Sequence, residues 1–291
     1  AHRLTLNYKE VDSSKLNGAN NSSRTMTFSS AEYQKGEVTE TTGMLLVSNW
    51  SDDFITEFSY STKEQLTSQM SPVGQGLPFF QINDCGAQGI RCELGPDIFR
   101  SANQLATETT FTKLKGTYYM GNHKFTFGYE NKLWDIYNVF IEAQDGGYEF
   151  EGLANYQAQI ASSFEHQNSR DLSEQGGAAV FEYYLDSFYL QDEIDISEKL
   201  NVLVGVRYDE FDSDDSPAVN QGFVDTYGFA NGGIAGTNLI NYRLSFDYEI
   251  NEVSRIKGLF GTFSSKLPTV WISNAYTNDG VRIATYNQAN A

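Results

Sequence analysis

Amphipathic strand-like segments alternate with connections of two sharply different lengths, and this rhythm constrains the fold more than any other feature. Nine segments can be read from period-2 alternation and turn signals, near 2–12, 40–49, 54–69, 107–120, 123–140, 179–196, 200–212, 239–250 and 254–265. Tight connections fall at Asn49–Asp53, Gly121–Asn122, Ser197–Lys199 and Ile250–Val253, and long ones near 13–39, 70–106, 141–178 and 213–238. Short and long alternate strictly along the chain, so the sheet they imply has two unequal ends.

Successive side chains on a strand point to opposite faces. In 239–250 one face carries Ile240, Tyr242, Leu244, Phe246, Tyr248 and Ile250, and the other Asn241, Arg243, Ser245, Asp247 and Glu249. The segment 200–212 repeats the pattern, with Leu200, Val202, Val204, Val206 and Tyr208 set against Asn201, Leu203, Gly205, Arg207 and Asp209. Two architectures satisfy such faces. A soluble sandwich turns the apolar rows toward each other; a membrane barrel turns them toward lipid and keeps charge in a wet lumen.

Three observations favour the barrel. The segments run to about 16–18 residues, against a usual strand of about 5–6. Aromatic residues end the apolar rows, as Tyr8, Trp50, Tyr208 and Tyr248 do, matching interfacial girdles. The long connections all leave from one end. Composition agrees: 18 Tyr and 20 Phe in 291 residues, at a mean hydropathy of −0.43, is an aromatic excess that a soluble core would not need. The expected fold is all-β, an antiparallel up-and-down transmembrane β-barrel, partial at about nine strands. The net charge of −18 argues against nucleic acid, whose phosphates attract Lys and Arg. The chain starts inside a strand and ends in a polar stretch, so a piece of a longer protein is expected.

Chemistry-bearing residues are few. Cys85 and Cys92, in a polar Gly-rich connection, are expected to form a loop disulfide, since no His lies near enough to make a metal site with them. His2, His123 and His166 read as surface or interfacial residues. The run Asp209-Glu210-Phe211-Asp212-Ser213-Asp214-Asp215 lacks the spacing of a calcium loop and reads as a solvated strand end. The pairs Gly146-Gly147, Gly176-Gly177 and Gly232-Gly233 read as turns, without a phosphate-loop signature. Arg207, Asp209, Arg243 and Asp247 are the lumen-facing candidates, with Arg207 expected to pair with Asp209 and Arg243 with Asp247. No catalytic, cofactor or metal constellation appears, and no enzyme activity is expected.

The hairpin Phe188-Tyr189-Leu190-Gln191-Asp192-Glu193, turn, then Gly205-Val206-Arg207-Tyr208-Asp209, resembles TonB-dependent outer-membrane receptors. Gly261-Thr262-Phe263-Ser264-Ser265-Lys266-Leu267-Pro268 is similar to that family's Gly-x-x-Phe-Arg-x-Pro segment, with Ser in place of Arg. Gly95 to Asn103 and Leu267 to Gly280 resemble its Oar-like branch. The resemblance implies a bacterial outer-membrane barrel, normally of about 22 strands around a plug, with plug, TonB box and closing strands outside these 291 residues. It also implies energised uptake of a scarce ligand (an iron chelate, saccharide or peptide), through the TonB complex and with outer-membrane lipid around the barrel. Surface adhesion without import, and a soluble acidic carbohydrate-binding sandwich, are the alternatives. The resemblance makes Ser197–Lys199 periplasmic and sends 70–106, 141–178 and 213–238 outside the cell.

Overall fold

The computed structural model describes residues 1–19, 21–74, 76–86, 88–265 and 268–289. Nine long strands form one antiparallel sheet in which every strand pairs with its sequence neighbour. They are β1 His2–Asn17, β2 Tyr33–Asn49, β3 Phe54–Met70, β4 Ala102–Met120, β5 His123–Ile141, β6 Ala179–Ser197, β7 Leu200–Asp212, β8 Thr237–Asn251 and β9 Ser254–Gly261. The order is an up-and-down meander with β1 and β9 as its edges. No helix among the described residues is long and apolar enough to cross a membrane.

Register carries each face across the sheet. Leu4, Leu46, Phe58, Leu114, Tyr129, Phe188, Tyr208 and Ile240 are successive cross-strand partners from β1 to β8. One residue away on β1, Thr5 begins the row Leu45, Ser59, Lys113, Glu130, Ser187 and Asp209 on the opposite face. The first face is apolar and solvent-accessible, reaching 70% exposure at Leu6 and 79% at Phe260. A soluble protein does not leave so broad an apolar surface uncovered. From Ile240 to Ile250 the band spans ~33 Å of strand, or ~25 Å of height at a barrel's usual tilt, which matches a hydrocarbon core. This is the outer, lipid-facing surface.

The cations are confined to one face. Every Lys and Arg on the nine strands has the parity of the inner face. On the outer face the apolar band gives way at the long-loop end to carboxylates. Glu10, Glu40, Glu64, Glu108, Asp135 and Glu182 stand directly opposite one another across six strands.

The short turns are two to four residues long. Gly121 shows why they can be so tight: with φ of 62° it takes the first position of the two-residue turn joining β4 and β5, where a side chain would be strained. Several strands outrun their expected limits at the loop end. β1 continues through Ser13, Ser14 and Lys15, which pair with Glu37, Gly36 and Lys35. Backbone pairing holds this stretch together where side-chain alternation has faded. β9 is shorter than expected, ending at Gly261 rather than 265, because Thr262–Ser265 leaves the sheet and crosses the inner face.

A second sheet of six short strands is built from the long connections and from the stretch after the helix Thr269–Thr277. Its order is Ile283–Ala289, Ser163–Ser169, Gly147–Glu151, Phe79–Asn83, Arg91–Leu94 and Thr25–Thr27. Ile82, Cys92, Phe150 and Ala161 form its buried centre, with Phe80, Tyr148 and Tyr156 packed against them. Cys85 and Cys92 are joined there, their Cα atoms 5.8 Å apart. Three of the four long connections therefore contribute to one folded unit, which sequence alternation did not reveal. Gly147 opens a strand of this sheet, and Gly176–Gly177 closes a short helix, so neither pair is the plain turn expected.

Candidate functional site: a charged cavity on the inner face

Arg207 sits at the middle of the inner face. It follows Gly205 on β7, whose missing side chain leaves the neighbouring position open. Its Nε donates to Asp209 Oδ1 at 2.8 Å and its Nη2 to Glu130 Oε2 at 3.1 Å. The guanidinium also lies over the Tyr189 ring, 5.8 Å from its centroid. Tyr189 can lie flat because its cross-strand partner is Gly128, where a Cβ would stand 2.5 Å from the phenol oxygen.

Asp209 is only 4% exposed. Its carboxylate is fully engaged, accepting from Ser187 Oγ at 2.6 Å, Arg207, Asn241 Nδ2 at 3.2 Å and Ser264 Oγ at 3.0 Å. A buried charge is tolerated only when so satisfied. The acidic run is thus no uniform solvated strand end. Strand parity sends Asp209 and Phe211 inward and Glu210 and Asp212 outward, where the latter accept from Tyr208 and Tyr184.

Arg207, Asp209, Arg243 and Asp247 all lie on the inner face, but they do not form the two expected pairs. Arg207 and Asp209 meet. Arg243 and Asp247 stand four residues apart on one strand, too far along it for contact. Asp247 instead bonds Arg255 and, at 3.2 Å, Lys257, its cross-strand partner on β9. Arg243 lies over Phe263, 5.6 Å from the ring centroid. Lys113 and Lys115 extend the cluster toward Glu130 and Glu57, at 3.9 and 2.9 Å. Lys132 stands over Phe111, 5.4 Å from its centroid.

Arg207, Asp209, Arg243, Lys113, Lys115, Glu130 and Lys132, with Trp134 and Tyr189, line an open cavity of about 560 Å³. Toward the loops the inner face changes character. Trp134, Ile136, Phe181, Tyr183, Leu185 and Phe211 are buried there, and the helix Thr269–Thr277 covers them with Ile272 and Tyr276. Phe181 stacks on Tyr276 at 4.4 Å and Trp134 on Tyr183 at 4.7 Å. Burial, and then the nearby Asp215 carboxylate, hold the Tyr276 phenol above its ordinary pKa, keeping it neutral. The lumen is therefore polar at its middle and closed by an aromatic core above. The sequence pattern missed this core, because its residues occupy inner-face positions otherwise read as wet. Of the Gly261–Pro268 segment, Lys266 and Leu267 lie outside the described residues.

His123 Nδ1 lies 2.8 Å from Asp192 Oδ2 near the short-turn end, and His2 packs edge-on against Trp50 at 5.1 Å. His166 belongs to the six-stranded sheet, in Ser163–Ser169, and stacks over Phe164. A further depression, between Phe127, Phe188 and Leu190, lies on the outer face and so against lipid.

A search of curated proteins returned no match. The family described as outer membrane beta barrel domain matches residues 4–270, nearly all of the meander and the helix start beyond it. With its lipid-facing apolar band, cations confined to the inner face and unequal ends, the chain belongs to this outer membrane beta barrel domain family and resides in the bacterial outer membrane.

Proposed function

We propose that this barrel serves active uptake of a scarce ligand across the outer membrane, as a TonB-dependent receptor of Oar-like type. The observation that carries the reading is the inner face. It pairs a water-accessible, charged cavity of about 560 Å³ with two covering pieces, Thr262–Ser265 and the helix Thr269–Thr277, on the same face. A barrel needed only as an anchor has no use for either. The hairpin from Phe188 to Asp209 supports the same reading, since it is the stretch resembling those receptors. The helix-capped aromatic core would hold the cavity closed toward the outside until a ligand engages the loops.

The six-stranded sheet favours a second role, surface adhesion or organisation, because it presents a folded and disulfide-tied surface outside the cell. Co-purification separates the two. The full-length protein bearing this barrel, solubilised from outer membranes, should be retained on immobilised TonB periplasmic domain. Passage straight through, together with loss of surface attachment in cells lacking the protein, would replace uptake by adhesion.

A further inference from the structure

The chain carries a net charge of −18, yet its inner cavity is electropositive. Among the described residues five cations line it: Lys113, Lys115, Lys132, Arg207 and Arg243. Two carboxylates among the described residues do, Glu130 and Asp209, and both are occupied by Arg207. The balance stays positive when Glu57, which holds Lys115 from outside the lining, is included.

The cations are not equivalent. Arg207, Lys113 and Lys115 have carboxylate partners. Among the described residues Lys132 and Arg243 have none, and each stands over an aromatic ring instead, Phe111 and Phe263 respectively. A cation left facing a cavity, backed by a ring, keeps its hydrogen-bonding capacity for whatever enters. Trp134 and Tyr189 add ring faces to the same lining. Field lines in a low-dielectric pocket of one sign concentrate ions of the other.

We infer that this cavity binds an organic anion, a carboxylate- or phosphate-bearing molecule with a ring or apolar body, through Arg243 and Lys132. The ring body lies against the aromatic lining and the acid groups meet the two unpaired cations. Arg207 is committed to Asp209 and Glu130, so it shapes the floor and orients Tyr189. The inference rests on the uptake reading only in taking the inner face as the ligand's route.

The test is calorimetric titration of the full chain, folded in detergent micelles, with three probes: glucose 6-phosphate, citrate and glucose. Saturable binding of glucose 6-phosphate or citrate, with none of glucose at equal concentration, is the expected result. Phosphate against carboxylate preference is read from the first two. Arg243→Gln and Lys132→Gln should each weaken the bound anion about tenfold, the size of one charge-assisted hydrogen bond. Lys257→Gln, on the same face but paired with Asp247, should leave it unchanged. Arg243→Lys, which keeps the charge, should recover part of the loss and guards against misfolding of the Gln variant. Equal binding of glucose, no binding of either anion, or indifference to both Gln substitutions overturns the inference. Anion binding without retention on TonB would sink the uptake reading alone, whereas retention on TonB with indifference to anions would sink only this one.

Discussion

At the scale of single residues, the centre of the inner face is organised by Asp209. Four donors converge on a carboxylate almost removed from water, three of them from outside β7: Ser187 on β6, Asn241 on β8 and Ser264 on the crossing segment. Asp209→Ala would leave Ser187 and Ser264 without their acceptor, Asn241 with Ser264 alone and Arg207 with Glu130 alone. A loss of about 2–3 kcal/mol in unfolding free energy is expected from urea titration in detergent. Asp209→Asn keeps an acceptor and should lose less. A cost no larger than that of a surface substitution would show that the network is loose. The same residue shows where sequence reading stops. Parity placed Arg207, Asp209, Arg243 and Asp247 on one face, because a strand's period is fixed. It could not say which of them meet, because Asp247 chooses between its own strand and β9, and cross-strand register decides that.

At the scale of elements, the nine long strands were legible because each buries or exposes a complete row of side chains. The limits were less legible where the rows turn polar, as at Ser13–Asn17, whose pairing rests on backbone hydrogen bonds. The six-stranded sheet was not legible. Its strands are three to seven residues long, its pairings of Thr25–Thr27 with Arg91–Leu94 and of Phe79–Asn83 with Gly147–Glu151 are parallel, and its partners come from stretches far apart in sequence. The disulfide ties this unit, bridging Phe79–Asn83's loop to Arg91–Leu94. Cys85→Ser with Cys92→Ser should lower the unit's resistance to protease by the equivalent of about 2–3 kcal/mol. The cleavage should fall within the long connections while the barrel band on a gel stays intact. Equal protection of both forms would mean that the sheet holds without the bridge. The helix Thr269–Thr277 is a second element that alternation cannot find, since it joins the fold through a core of inner-face aromatics. Phe181→Ala removes the ring that stacks on Tyr276 and should cost about 3–5 kcal/mol, with the helix released from β6. Hydrogen exchange across residues 269–277 would report the release, and unchanged protection there would contradict the packing described.

At the scale of the whole molecule, one sheet separates two environments. The outer face offers lipid an apolar band ended by carboxylates, and the inner face collects every strand-borne Lys and Arg. Cross-strand carboxylates directly opposite one another repel. Their row stands at the loop end, beyond the apolar band, where water and counter-ions can screen them. Substitution should therefore be tolerated by face and not by position along the chain. Leu244→Arg puts a cation into the band and should destabilise the folded barrel by about 2–4 kcal/mol. Ser245→Arg, one residue on and facing inward, should be tolerated, both read from unfolding in lipid vesicles.

The most direct measurement is the environment of consecutive positions on β8. Single cysteines from Ile240 to Tyr248 would be labelled with a nitroxide in lipid bilayers and their collisions with oxygen and with a water-soluble nickel chelate recorded. The account predicts strict alternation: oxygen-accessible at 240, 242, 244, 246 and 248, and nickel-accessible at 241, 243, 245 and 247. Water access on the even positions, or no alternation at all, would contradict a lipid-facing outer surface and with it the whole reading of the sheet.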